Sequence, residues 1–249
     1  MTARGTGFGV EARSPRELLD VVLGTQPAPP REVVVLVACA ATLGVVKRES
    51  WGLLRIYVTM LHEGGHALVA VLSRRRVTKI LLNANTSGAV HSLGERKGAK
   101  AVLGSLAGYP APGLVALGAA VLIGRGRASL TLCVVACLAL LMLVKIRTVY
   151  GVFVTIFFVA GLVAVMALAD PRAQTGVAHL MAWFLAAGAV RSVFEMLRRR
   201  RLGRHKTDDV DNLVAETGLP AAFWMATFVW MVLATYAASA LLLAPWPTG

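Results

Sequence analysis

His62-Glu63-Gly64-Gly65-His66 lies inside an apolar stretch, residues 51–72, that is long enough to cross a bilayer. On a helix, residues four apart share a face. The two histidines can therefore grip one zinc ion, and the Glu beside the first can act as general base toward a water that the metal activates. Ionisable side chains in a membrane-spanning segment are costly unless they act together. The stretch thus implies a zinc hydrolase site within or just beneath a bilayer. The bland alternative is a pair of core histidines satisfied by hydrogen bonds, with Glu63 paired to one of them.

The surrounding chain reads as membrane protein. Of its 249 residues, 57% are hydrophobic, with mean hydropathy +0.67. Soluble domains carry about 45–50%. Apolar blocks fall at residues 33–46, 51–72, 101–123, 130–144, 149–169, 176–197 and 221–244. The expected fold is an all-α polytopic membrane protein with six transmembrane helices, or seven if the short first block crosses. Tyr109-Pro110-Ala111-Pro112-Gly113 interrupts the third block and predicts a kink or a re-entrant piece. Residues 1–32 are polar and are expected to form a cytoplasmic N-terminal segment. Residues 33–249 then form one membrane-embedded domain.

The net charge of +13 fits cytoplasmic loops facing anionic headgroups better than nucleic acid. The Arg198–Arg201 run follows an apolar block and has no interleaved aromatics, so no nucleic-acid partner is expected. With seven spans, Arg4, Arg13, Arg16 and Arg31, the basic residues of 74–100, Lys145, Arg147 and those of 198–206 sort to the cytoplasmic side. Lys47, Arg48, Arg125, Arg127 and Arg172 sort outside. Losing the first span would move the N-terminus without inverting the rest. Cys39, Cys133 and Cys137 all lie in apolar blocks and suggest neither a disulfide framework nor a metal site.

A zinc hydrolase needs a third ligand. His179 and Asp170 fall on the outer side. His205 lies in a basic run, and Glu195 has Arg191 four residues before it. His91 and the stretch Thr207-Asp208-Asp209-Val210-Asp211 remain, both on the inner side. The acidic stretch reads equally as a helix cap and as a ligand source. Residues 77–82 are β-prone and lead through Asn83-Ala84-Asn85-Thr86-Ser87-Gly88 into Ala89-Val90-His91, a small cytoplasmic hairpin-like loop. An exposed strand edge there could hold substrate in extended form, which makes Asn83, Asn85, Ser87 and Gly88 candidate substrate-binding residues. A surface hairpin without function is the alternative. Gly104 and Gly108 have the small-xxx-small spacing of helix packing, and no chemistry is attached to them.

The motif helix, the Ser87-Gly88 loop, the Ala107-Gly108-Tyr109-Pro110 turn and the late stretch ending Thr217-Gly218-Leu219-Pro220 together resemble the site-2 protease-like membrane zinc metallopeptidases. The likeness is to a compact, multi-span bacterial branch and covers roughly residues 50–243. It implies His62 and His66 as zinc ligands, Glu63 as catalytic base and a late Asp as third ligand. Counting back from Thr217-Gly218-Leu219-Pro220 places that Asp on Asp209, with Asp211 and then His91 behind it. The Asn-Pro-Asp-Gly or Leu-Asp-Gly form of better-known site-2 proteases is absent. The resemblance also implies a membrane-protein substrate and a multi-pass location in a bacterial plasma membrane. Two other readings are a catalytically inactive zinc-binding scaffold and a transporter. A transporter would spread polar residues over several spans, whereas here they gather in one helix and one inner segment.

Overall fold

The computed structural model describes residues 15–204 and 207–244. Arg4, Arg13, His205 and Lys206 lie outside the described residues. The elements are α1 (Pro15–Leu23), α2 (Arg31–Val46), α3 (Arg48–Leu72), β1 (Arg76–Leu82), β2 (Gly88–Leu93), α4 (Ala99–Leu106), α5 (Ala111–Gly124), α6 (Ala128–Leu143), α7 (Val149–Leu168), α8 (Pro171–Arg201), α9 (Asp209–Thr217) and α10 (Ala221–Leu243).

Composition decides which faces meet lipid. α7 buries Gly151, Thr155, Val159, Leu162 and Met166, one stripe at helical spacing. Its other faces expose Val149, Phe153, Ile156, Phe157 and Val163. A helix apolar on every side has no face for water, so its outer surface belongs against hydrocarbon. By length and composition α7, α8 and α10 can each cross a bilayer. A fourth crossing arises if α4 and α5, bent by 71° at their junction, count as one broken span. The expected count of six or seven is not reached on these criteria. α2 and α6 have 16 residues each, and α3 carries Arg55, Glu63 and two histidines among its apolar residues. The expected interruption is present: Pro110 precedes α5, and its missing N–H is harmless at a helix start.

β1 and β2 pair antiparallel, from Arg76↔Leu93 to Leu82↔Gly88, with an irregularity between Val77 and Lys79. This is the expected hairpin. Its turn is closed by Ser87, whose N–H (3.1 Å) and hydroxyl (2.7 Å) both donate to Asn85 Oδ1. The far edge of β1 takes the α6–α7 connection: Ile80 N–H donates to Lys145 O at 2.8 Å, and Arg147 N–H to Ile80 O at 3.0 Å. β1 is thereby paired on both sides, and the outer edge of β2 is left open among the described residues.

Two ends are defined by these contacts. α7 starts beside the hairpin, where a Cβ on Gly151 would meet Leu82 at 2.9 Å, and its 20 residues run about 30 Å away from it. At that far end Gln26 N–H donates to Gly126 O at 2.8 Å, Gln26 Oε1 accepts from Ser129 N–H at 3.1 Å, and Thr175 Oγ1 donates to Pro27 O at 3.4 Å. Residues 24–30 therefore lie at the end opposite the hairpin. α2 and α3 together carry the chain once between the ends.

α9 is clamped at the hairpin end. Val210 and Leu213 are fully buried in a cluster with Tyr109, Val193, Met196, Trp224 and Phe228. Gly218 ends α9 in the left-handed region at φ 73°, where a residue without Cβ is unstrained. Pro220 then opens α10, so residues 218–220 separate α9 from the last long helix.

Candidate metal centre

α3 places His62 and His66 one turn apart. Their Nε2 atoms are 3.1 Å from each other. Asp209, from the first turn of α9, brings Oδ2 to 3.4 Å from His62 Nε2 and 3.3 Å from His66 Nε2. The structure thus joins two residues of the motif to one from about 140 positions later in the chain. Among the described residues this is the one group of histidine, cysteine or acidic side chains with metal-site spacing.

The triangle fits zinc. Tetrahedral ligands at bond lengths of about 2.0–2.1 Å stand about 3.3 Å apart, which matches all three separations. The hydrogen-bond chemistry agrees. His66 Nδ1 lies 2.7 Å from Gly104 O, so the ring proton belongs on Nδ1 and the Nε2 lone pair faces inward. An oxygen of a carboxylate and imidazole nitrogens in mutual contact are acceptors crowded together, an arrangement that a cation or a proton must relieve.

The acidic stretch divides its work. Asp208 caps α9, accepting from Val210 N–H at 3.0 Å and Asp211 N–H at 3.3 Å, and Asp211 Oδ2 accepts from Asp208 N–H at 3.1 Å. Arg200, from the end of α8, grips both flanking carboxylates: it pairs with Asp208 and reaches Asp211 Oδ1 at 2.7 Å. Cap and ligand were alternatives for this segment in sequence; here neighbouring residues take one role each, and Asp209 alone turns toward the histidines. At the other end of α9, Glu216 Oε1 accepts from Arg96 at 2.8 Å, and Ser105 Oγ donates to Glu216 Oε2 at 3.1 Å.

Glycines let the backbone close around the centre. A Cβ on Gly108 would stand 2.5 Å from His62 Cε1 and from His66 Nε2. One on Gly65 would meet Ala107 O and, at 2.8 Å, Ala111 Cβ. The Gly104–Gly108 pair, expected only to pack helices, therefore also supplies a carbonyl to one imidazole and bare backbone to both. Tyr109 adds an edge-on ring against His62, centroids 4.8 Å apart. The four-residue glycine spacing was the sequence signal for this wall. Tyr109 stood out in sequence only as part of the break, and Arg200 only as part of a basic run; their contacts at the centre, like those of Glu216, are tertiary.

Glu63 is 5% exposed and lies under the start of β2. A Cβ on Gly88 would be 2.5 Å from Glu63 Cγ. Two adjoining cavities of about 470 and 530 Å³ both touch His62, Glu63, Gly88 and Tyr109. Of the loop candidates, Ser87 and Gly88 line this space. Asn85 is committed to the turn, and Asn83 Nδ2 donates to Ser87 Oγ at 3.0 Å. Thr59 Oγ1 donates to Thr86 O at 3.0 Å, which ties the motif helix to the turn. His91 lines the second cavity from β2 but stands outside the triangle. His179 is buried, with Nδ1 2.8 Å from Thr175 O near the far end of α8.

The family model for peptidase M50B-like proteins matches residues 35–239. This chain belongs to that family. The match takes in the motif helix, the hairpin, the α4–α5 break and α9. No curated protein and no solved structure matches. Membership of the M50B-like, site-2 protease family marks the chain as a membrane protein of a zinc-dependent metallopeptidase group, and His62, His66 and Asp209 offer a possible metal site.

Proposed function

We propose that this M50B-like chain is an intramembrane zinc metalloprotease that hydrolyses peptide bonds of membrane-embedded or membrane-proximal proteins. The observation that carries the reading is the triangle of His62, His66 and Asp209, with sides of 3.1–3.4 Å, beside the buried carboxylate of Glu63. His62, His66 and Asp209 would hold the ion, with Gly104 O orienting His66 and Arg200 holding Asp208 and Asp211 on either side of Asp209. Zinc held there would supply Lewis acidity toward a scissile carbonyl and would lower the pKa of water.

Glu63 takes the proton from the attacking water and returns it to the leaving amine nitrogen. The Gly88 backbone closes over one side of the carboxylate, and the two cavities reach it from the other. The open edge of β2 runs beside this carboxylate and can pair with an extended peptide. A helical substrate would have to unwind first, because its peptide groups are already hydrogen-bonded to one another. Ser87 and Gly88 would then contact the substrate, with Asn83 and Asn85 holding the turn.

The proposed topology has six crossings: α2–α3 together, α4–α5, α6, α7, α8 and α10. Basic residues at 74–100, Lys145, Arg147 and 198–204 gather at the hairpin end, which therefore faces the cytoplasm of a bacterial plasma membrane. Residues 24–30 then face the opposite side, which departs from the cytoplasmic N-terminal segment expected when residues 33–46 count as a separate span.

The test is cleavage of a single-span model substrate in proteoliposomes. Activity should vanish with a zinc chelator and return with zinc. Cleavage that persists through complete chelation would rule the reading out.

A further inference from the structure

Glu195 of α8 is shared by more cations than it can neutralise. Its Oε1 accepts from Trp51 Nε1 at 2.7 Å and Arg191 Nε at 3.3 Å, while Oε2 faces Arg55 Nε at 3.6 Å. Two guanidiniums thus share one carboxylate between α3 and α8. Arg191 also stacks over the Trp51 ring, 4.8 Å from its centroid, and is doubly held. Arg55 is held only at 3.6 Å, and it lines the 470 Å³ cavity whose other walls include His62 and Glu63.

The placement follows from helical spacing. Arg55, Thr59, His62 and His66 recur at intervals of four, three and four on α3, so they form one stripe. Arg199 and Arg204 line the same cavity from the end of α8 and just beyond it. The Arg204 side chain has no ion pair among the described residues. The acidic groups on the walls are Glu63 and Asp208, and the Asp208 carboxylate is taken up by Arg200 and by its own helix cap. An unbalanced charge in a low-dielectric setting is costly, and a cavity with an excess of one sign of charge attracts the opposite one.

We propose that this chamber is a subsite for a substrate carboxylate, with Arg55, Arg199 and Arg204 selecting peptides that carry an acidic group near the scissile bond. The proposal rests on the peptidase reading above. Its register can be worked out. Arg55 stands seven residues from His62, about 10 Å along the helix. An extended chain advances about 3.3 Å per residue, so the carboxylate belongs roughly three residues from the bond that is cut. Its source is either an Asp or Glu side chain or a free C-terminus, which present the same chemistry.

The test uses the full chain in detergent, carrying Glu63→Gln so that peptides are not consumed. It is titrated with Leu/Ala nonapeptides bearing a neutral dye: an amidated peptide with one internal Glu, its Gln counterpart, and the Gln peptide with a free C-terminal carboxylate. At least one carboxylate peptide should bind about ten-fold tighter than the amidated Gln peptide, and which one it is names the source. Arg55→Gln and Arg204→Gln should each shrink that preference, and Arg55→Lys should restore part of it. Arg55→Gln leaves Glu195 with one cation fewer and can fail to fold; Arg204→Gln breaks no ion pair and keeps the test intact. Equal affinities, no binding, or a preference that survives both Gln variants would overturn the subsite. Cleavage of the same peptides by the unsubstituted chain separates the two proposals. Carboxylate-selective binding without cleavage would count against the peptidase reading alone, and cleavage without carboxylate preference against the subsite alone.

Discussion

Gly88→Ala displaces Glu63 without altering a charged residue. The new Cβ would stand 2.5 Å from Glu63 Cγ and 2.7 Å from its Cδ, whereas carbon atoms rest at about 3.5–4.0 Å. Either β2 lifts or the carboxylate retreats by roughly 1 Å. Gly88 is not among the glycines with positive φ, so alanine brings no backbone strain there, and it keeps the Leu82↔Gly88 pairing of the hairpin. Overpacking of this kind costs about 1–3 kcal/mol, which a folded chain can absorb. A displacement of about 1 Å at a catalytic group costs on the order of 10²-fold in rate. The three closest atoms to the new methyl all belong to Glu63, so the metal ligands are spared. The assay pairs zinc per chain with steady-state cleavage of a single-span substrate. Zinc should stay near the unsubstituted level while kcat falls about 100-fold. If kcat stays within about three-fold in a folded, zinc-loaded protein, Glu63 is not the base in this geometry.

Three further outcomes follow from the same geometry. Asp209→Asn should lose at least about ten-fold in zinc affinity, while Asp208→Asn, which caps about as well as Asp, should hold zinc nearly unchanged; equilibrium dialysis against a competing chelator distinguishes them. Glu216→Gln weakens the tie between α9 and Arg96 and Ser105. It should lower zinc affinity several-fold with the three ligands intact, and unchanged affinity would show that α9 is positioned by Arg200 and its apolar face alone. Single cysteines at Thr25 and Arg125 should react with an impermeant reagent from outside intact cells, and one at Lys97 should not; labelling at Lys97 would invert the proposed topology.

The sequence revealed most where chemistry is local. The His62–His66 spacing, the hairpin and the break at Tyr109-Pro110 are each set by residues within a few positions, and all three have their counterparts in the structure. Asp209 was reached through family likeness; the residues by themselves left cap and ligand open. Its structural distinction from Asp208 and Asp211 depends on Arg200 and on the buried contacts of Val210 and Leu213, which are tertiary facts. The same holds for the carbonyl of Gly104, whose role appears only once α4 lies against α3. Residues 33–46 left two readings open for a physical reason. An apolar run of 14 residues suits both a short span and a helix that packs along α8 from the far end, and the contacts of Gln26 and Pro27 favour the second.

The central claim joins a three-ligand metal site to a carboxylate that moves the proton. It is tested most directly by measuring zinc content and substrate cleavage together in the Glu63→Gln protein beside the unsubstituted chain. Both proteins should carry one zinc per chain, and only the unsubstituted chain should cleave. Cleavage by Glu63→Gln, or an unsubstituted chain that holds no zinc after loading, would contradict it.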